Sequence, residues 1–212
     1  MSVLLIHYNS VKSKLLLKIL KNKNYSIIEY NPYTEYLTQK KLYNYSLCDS
    51  LILSGMNVKM KTIKIPLLTN DRFGKSFFER ISKIIKLFEK KKILGICYGS
   101  QLLWHYYGGN TLYYKNIYGY TSKEHTNKII FTENIIFNNL KKDNSFVFNR
   151  NILLDKMNIP HKCNILAKDK QSNIAAFVIN KNIYGVLFHP EVSGEYGDIL
   201  LTNFLKLNIY KN

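Results

Sequence analysis

Residues 93–109 read ILGICYGSQLLWHYYGG, and no other stretch restricts the fold so narrowly. The apolar run Ile93, Leu94, Gly95, Ile96 passes directly into Cys97, then into Gly99 and a segment carrying Leu102, Leu103 and Tyr106 at helical spacing. Strand, sharp turn and helix follow one another without a linker. A residue at such a corner stands at the tip of a strand on a strained turn, and glycines at 95 and 99 let the backbone close around it without a Cβ clash. Cys97 is thereby pushed outward as a candidate nucleophile. The helix behind it aims its unpaired N–H groups and positive dipole end at the sulfur, which favours a thiolate. The same N–H groups, that of Tyr98 first, can hold a developing oxyanion.

The rest of the chain supplies a sheet for this corner. Residues 3–6, 26–30 and 50–53 read as short buried strands, the first followed by a helical pattern over 13–20 and the second closed by Asn31-Pro32. The stretch 33–45 is polar and aromatic with weak periodicity and reads as loop or irregular helix. The stretch 56–71, which holds Pro66, reads as loop. The strongest helical signal covers 73–88, with Phe77, Ile81, Ile84, Ile85 and Phe88 on one stripe. Strands alternating with helices predict a doubly wound, mostly parallel α/β sheet, in which ligands lie beyond the carboxyl ends of the strands. Gly55, Cys97 and His189 all fall just past expected strand ends. After Gly108-Gly109 the pattern changes to short strand-like runs at 112–114, 128–131, 145–149, 164–168, 174–179 and 183–188, which predict an additional antiparallel or mixed sheet. An amphipathic helix over 197–209, with Ile199, Leu200, Phe204 and Leu207 facing inward, closes the chain. No linker or repeat divides residues 1–212, so one domain is expected.

The charge admits several partners and selects none of them. A formal net charge of +17 is compatible with nucleic acid, an anionic substrate or an acidic protein. The lysines are scattered through every segment alongside an excess of Asn, Ile and Tyr, a pattern of compositional drift rather than of a binding face. The densest basic runs, 59–64 and 90–92, are not interleaved with aromatics as nucleic-acid platforms are; the second is expected to end a helix. No apolar run approaches the roughly 18 residues of a membrane span and no signal peptide is recognisable, so a cytoplasmic protein is expected. Cys48, Cys97 and Cys163 have no C-x-x-C spacing, which argues against a disulfide framework or zinc site.

About ninety residues after Cys97 comes His189-Pro190-Glu191, again at the end of an apolar run. The histidine stands where it can serve Cys97 as general base and then general acid, and the proline fixes a turn that lets Glu191 hold the imidazole in one tautomer. A lone cysteine after an apolar run is ordinarily inert core, and a lone His-Pro-Glu a surface turn. Together they read as a triad. Cys48, Cys163 and the histidines at 7, 105, 125 and 161 have no such setting and read as structural or exposed.

With Gly95, Cys97, Gly99 and Gln101 matching a G-x-C-x-G-x-Q elbow and His189-Pro190-Glu191 matching a late H-P-E, nearly the whole chain resembles the class I (triad-type) glutamine amidotransferases. That resemblance implies a flavodoxin-like fold, glutamine as substrate, and no metal or organic cofactor. It implies that Gln101 helps position the glutamine and that Gly55 belongs to a loop whose N–H assists the oxyanion. In the family that loop reads S-G-G, whereas here it reads Ser54-Gly55-Met56-Asn57. If Met56 must adopt a positive φ it costs about 1 kcal/mol, and reduced or partner-dependent activity is expected. The resemblance further implies that the strand 146–151 holds the α-amino and carboxylate ends of glutamine through its main chain. The residues at that place, Asn149 and Arg150 among them, differ from the usual Ser/His, and Arg150 is a candidate partner for the α-carboxylate.

The leading expectation is a glutaminase that hydrolyses glutamine through a Cys97 thioester and supplies ammonia to a separate synthetase chain. Tyr98 in the elbow, Val192 after the H-P-E and Ile117-Tyr118-Gly119 are most similar to the glutaminase part of GMP synthetase. The glutaminase subunits of anthranilate and aminodeoxychorismate synthases stay open. Two other classes stand beside these: a γ-glutamyl hydrolase-like cysteine peptidase, and a catalytically silent binding module on the same fold.

Overall fold

The computed structural model describes residues 1–56, 72–113, 124–141, 144–150 and 152–208. The basic run 59–64, the turn Ile117-Tyr118-Gly119 and all of the expected 56–71 loop except Met56 lie outside the described residues. In chain order the elements are β1 (Ser2–Ile6), α1 (Val11–Asn22), β2 (Ser26–Tyr30), α2 (Gln39–Ser46), β3 (Ser50–Leu53), α3 (Arg72–Leu87), β4 (Lys92–Ile96) and α4 (Tyr98–Tyr106). They continue with β5 (Thr111–Tyr113), β6 (His125–Phe131), β7 (Ser145–Phe148), β8 (Ile152–Leu154), β9 (Cys163–Asp169), β10 (Ile174–Ile179), β11 (Ile183–Val186) and α5 (Gly194–Lys206).

Nine strands form one sheet in the order β2-β1-β3-β4-β11-β10-β9-β6-β7. From β2 to β11 every pairing is parallel. From β11 to β7 every pairing is antiparallel. The expected antiparallel strands thus mostly extend the parallel sheet, and among the described residues the separate small sheet is the β5–β8 pair. The strands β1, β3, β4 and β11 read as unbroken apolar runs because both faces are covered: Val3 to Ile6, Leu51 to Leu53, and Ile93 with Leu94 are fully buried.

Local chemistry explains the helix limits. The Ser10 hydroxyl accepts the Ser13 N–H at 3.0 Å and opens α1; the Thr38 hydroxyl accepts the Lys41 N–H at 3.2 Å and opens α2. That cap makes a helix of a segment whose only buried residue is Tyr45, which is why its apolar period is too weak to read. The α3 stripe is buried as expected at Phe77, Ile81, Ile84, Ile85 and Phe88. Helix α3 stops at Leu87, so the run 90–92 is not a helix end. Lys92 opens β4, and its buried Nζ donates to the Leu205 carbonyl at 2.6 Å, near the C-terminal end of α5. The last helix starts earlier than expected, and its inward face is Leu200, Leu201, Phe204 and Leu205, with Ile199 half-buried.

The join between β3, β4 and α4 is close enough to forbid a side chain at Gly99. A Cβ there would lie 2.1 Å from the Leu53 carbonyl oxygen, a main-chain atom that cannot swing aside. Gly99→Ala is therefore expected to lose about 3 kcal/mol or more of stability, read from a denaturant melt, because α4 would have to lift from the end of β3. An unchanged melting midpoint would show that the elbow can relax.

Candidate active site

Parallel strands β4 and β11 end side by side, and each leads into one of the expected triad residues. The ladder runs one residue past β4: the Cys97 N–H donates to the Val186 carbonyl at 2.8 Å. Cys97 then turns with φ 49° and ψ −104°, a conformation that costs a non-glycine residue about 1–3 kcal/mol. Its carbonyl accepts the N–H groups of Ser100 and Gln101 and the Ser100 hydroxyl at 2.6 Å, which holds the turn against α4. The Sγ is left facing the Asn149 carbonyl at 3.6 Å.

His189 follows β11 on its parallel neighbour's carboxyl side. Pro190 begins a short 3-10 turn, Pro190–Val192, at a position that needs no N–H donor. The turn brings Glu191 back so that its Oε1 lies 2.8 Å from His189 Nδ1. Both are 4% exposed, and Cys97 is 6% exposed. With Nδ1 occupied, Nε2 is the ring atom left for Cys97. Burial pushes the His189 pKa down, but the charge and hydrogen bond of Cys97, followed by those of Glu191, outweigh it and raise the value from 6.5 to about 10. Both neighbours thus favour the protonated imidazole, the form that can give up a proton.

Gly55 closes the third side. A Cβ there would stand 2.7 Å from His189 Cε1 and 3.4 Å from Cys97 Cβ, so only a glycine main chain can approach both. Met56 beside it is half-buried and accepts the Tyr33 hydroxyl on its Sδ at 3.2 Å. It is not among the described residues with positive φ. The strain expected from a methionine in the S-G-G loop therefore does not arise, and no loss of activity follows from it.

The remaining predicted residues are placed unequally. Tyr98 is buried with its ring edge-on to Tyr8 at 5.5 Å, so what it can offer the site is its N–H at the start of α4. Gln101 is buried in the first turn rather than solvated. Asn149 presents its carbonyl to the sulfur. The Arg150 guanidinium is bound to the Asp169 carboxylate, donates to the Ile174 carbonyl and lies 4.6 Å over the Phe148 ring. A substrate carboxylate would have to compete with that buried pair. The other two cysteines differ in setting from Cys97: burial pushes the Cys48 thiol up, and burial pushes the Cys163 thiol up to about 12.

Two features near the site have no legible signal in the sequence. Lys12 in α1 pairs with Glu124 at 2.7 Å, and the hydrogen bond from Lys12 holds that carboxyl below its usual range, with a smaller contribution from the charge of His189. Ser193 bonds to both His189 and β7. Its place two residues after Glu191 and just before a helix marks it only as a cap. Among the described residues no group of three His, Cys, Asp or Glu side chains converges as metal ligands would, and no helix is long and apolar enough to cross a membrane.

A cysteine on a strained elbow, a buried imidazole beside it and Glu191 on the far ring nitrogen are parts suited to acyl transfer through a covalent intermediate. Comparison with known proteins meets the same point from outside. Residues 5–207 match the model of the glutamine amidotransferase class-I family. Among individual relatives, the chain is 35% identical over 129 residues to a glutamine-hydrolysing GMP synthase subunit from Methanococcus vannielii, covering 60% of this chain and 65% of that one. It is 36% identical over 138 residues to a glutamine-hydrolysing GMP synthase from Caldicellulosiruptor saccharolyticus, covering 61% of this chain and 25% of that one. The matches therefore span less than two thirds of those relatives' own lengths. Among solved structures, a GMP synthase subunit-like protein from Thermoplasma acidophilum superposes with a TM-score of 0.75 at 18% identity, covering 97% of this chain and 92% of that one. A glutamine amidotransferase from Thermotoga maritima gives 0.66 at 20% identity, covering 97% and 82%. At those identities the structural match speaks for the fold.

Proposed function

This chain belongs to the class-I glutamine amidotransferases, and on that premise we propose that it is a glutaminase subunit of the GMP synthetase type, passing ammonia to a separate synthetase chain. The observation that carries the proposal is the convergence of Cys97, His189 and Glu191 with Gly55 at the ends of β3, β4 and β11. The names of the sequence relatives support the GMP branch. A cytoplasmic setting goes with this reading.

The Cys97 thiolate attacks the side-chain carbonyl carbon of glutamine, and the oxyanion that forms is held by main-chain N–H groups of Tyr98 and the Gly55 loop. The His189 imidazolium gives its proton to the departing amide nitrogen, the C–N bond breaks, and ammonia leaves a γ-glutamyl thioester on Cys97. Neutral His189 then takes a proton from water as the oxygen attacks the thioester. Glutamate departs and the thiolate–imidazolium pair is restored. Glu191 accepts the Nδ1 proton's hydrogen bond throughout and keeps Nε2 aimed at the sulfur. The main chain at Asn149, its carbonyl 3.6 Å from Sγ, borders the substrate at its reacting end.

The test has two parts. The purified chain is expected to release glutamate and ammonia from free glutamine, and affinity capture from the native cell is expected to recover an ammonia-using synthetase. Hydrolysis of γ-glutamyl peptides in preference to glutamine, with no synthetase recovered, would transfer the site to the peptidase reading. No turnover of either substrate would leave a binding module.

A further inference from the structure

Ser193 stands at the N-terminal boundary of α5, where a serine ordinarily turns its hydroxyl onto the free N–H groups of its own helix. Here it makes no such cap bond. The hydroxyl instead donates to the main-chain carbonyl of His189 at 2.7 Å and accepts the main-chain N–H of Val147 at 3.0 Å. The circuit closes through the His189 N–H, which donates to the Val147 carbonyl at 2.8 Å. Three hydrogen bonds tie the start of α5, the backbone of the histidine and strand β7 into one unit.

The edge of β7 gives this circuit its consequence. One edge of the strand pairs with β6, with Val147 opposite Thr126, and the two-residue alternation sends the polar main-chain groups of 147 and 149 out along the other edge. At Val147 both outward groups are taken by His189 and Ser193. At Asn149 the outward carbonyl faces Cys97 Sγ. The strand is thus locked to the histidine at one register position and presented to the sulfur at the next.

We propose that Ser193 is a positioning residue that fixes the register of β7 against His189, so that the main chain bordering the substrate and the imidazole keep one separation. The proposal rests on the glutaminase reading for the substrate alone. Ser193 acts through Val147 and His189 and does not touch the reacting atoms.

The experiment compares Ser193→Ala, Ser193→Cys and Ser193→Thr in the full chain, reading kcat and KM for glutamine, the melting temperature, and the pH profile of Cys97 alkylation by iodoacetamide. Ser193→Ala is expected to lose about tenfold or more in kcat/KM with a raised KM, while Ser193→Thr, which restores the hydroxyl, stays within about threefold of wild type. The alkylation profile is expected to move in Ser193→Ala and Ser193→Cys and to stay put in Ser193→Thr. Wild-type kinetics and alkylation in Ser193→Ala, with only a lower melting temperature, would make Ser193 a helix-start residue and overturn the proposal. If Ser193→Ala does not fold, identical kinetics in Ser193→Cys and Ser193→Thr overturn it equally. If wild type turns over no glutamine, the glutaminase reading fails. The alkylation comparison needs no substrate and still decides the role of Ser193: a shift confined to Ser193→Ala and Ser193→Cys supports it, and no shift overturns it.

Discussion

Cys97→Ala is expected to fold as the wild type does and to show no measurable glutamine hydrolysis, a loss of about 10⁴-fold or more because the covalent route itself is removed. The substitution deletes one buried sulfur and leaves the main-chain bonds that hold the elbow, those to Val186, Ser100 and Gln101, in place. A glutamine-analogue electrophile should label wild type at Cys97 alone, since burial pushes both other thiols up. Label on Cys48 or Cys163 would sink the assignment.

The same substitution changes the titration of its neighbour. Burial lowers the His189 pKa, and Cys97 supplies the first of the influences that raise it to about 10. Without Cys97 the histidine is expected to titrate well below the wild-type value, measured from its ring C–H signals by NMR. A folded-state pKa raised above 6.5 contributes stability that is fully present below about pH 6.5 and is lost as pH rises toward about 10. Wild type should therefore lose stability across that alkaline window, and Cys97→Ala should lose less of it. Parallel pH–stability curves for the two proteins would contradict the coupling.

His189→Ala is expected to cost about 10⁴-fold or more in kcat/KM, and Glu191→Gln about 10²–10⁴-fold. In the proposed mechanism the alanine removes the proton donor and acceptor altogether. The glutamine keeps the shape of Glu191 and loses its charge beside Nδ1, so the ring is held less firmly in the tautomer that faces the sulfur. Because the hydrogen bond and charge of Glu191 also raise the His189 pKa, Glu191→Gln should move the alkaline limb of the rate profile to lower pH. Small and equal losses in both variants would make His189-Pro190-Glu191 a structural turn.

Much of this site is written locally. The elbow at Cys97 is built from contiguous residues, an apolar strand, two glycines and a helix, so its geometry follows from propensity and sterics acting over a few positions. The pairing of His189 with Glu191 is legible for the same reason, since two residues and a proline define that turn. The strands β2, β3 and β10 are readable to the residue because each is an apolar or β-branched run bounded by turn residues. The three-residue β8 is not, being too short to carry a period.

What the tertiary structure decided is where main-chain edges and long side chains find partners. The sequence shows strand-like runs after residue 109, but not that five of them join the parallel sheet, entering it through β11 beside β4. It shows Arg150 beside a strand expected to hold substrate, but not that Asp169 takes its charge. It shows Met56 in place of a glycine, but not that the backbone there avoids the left-handed region. It shows Ser193 before a helix, but not that its hydroxyl leaves the helix for a strand 46 residues away. Propensity and periodicity act between neighbours in the chain and so can be read from order alone. A hydrogen bond or ion pair between distant segments depends on which edges the packed sheet brings together, and that is set by the whole core at once.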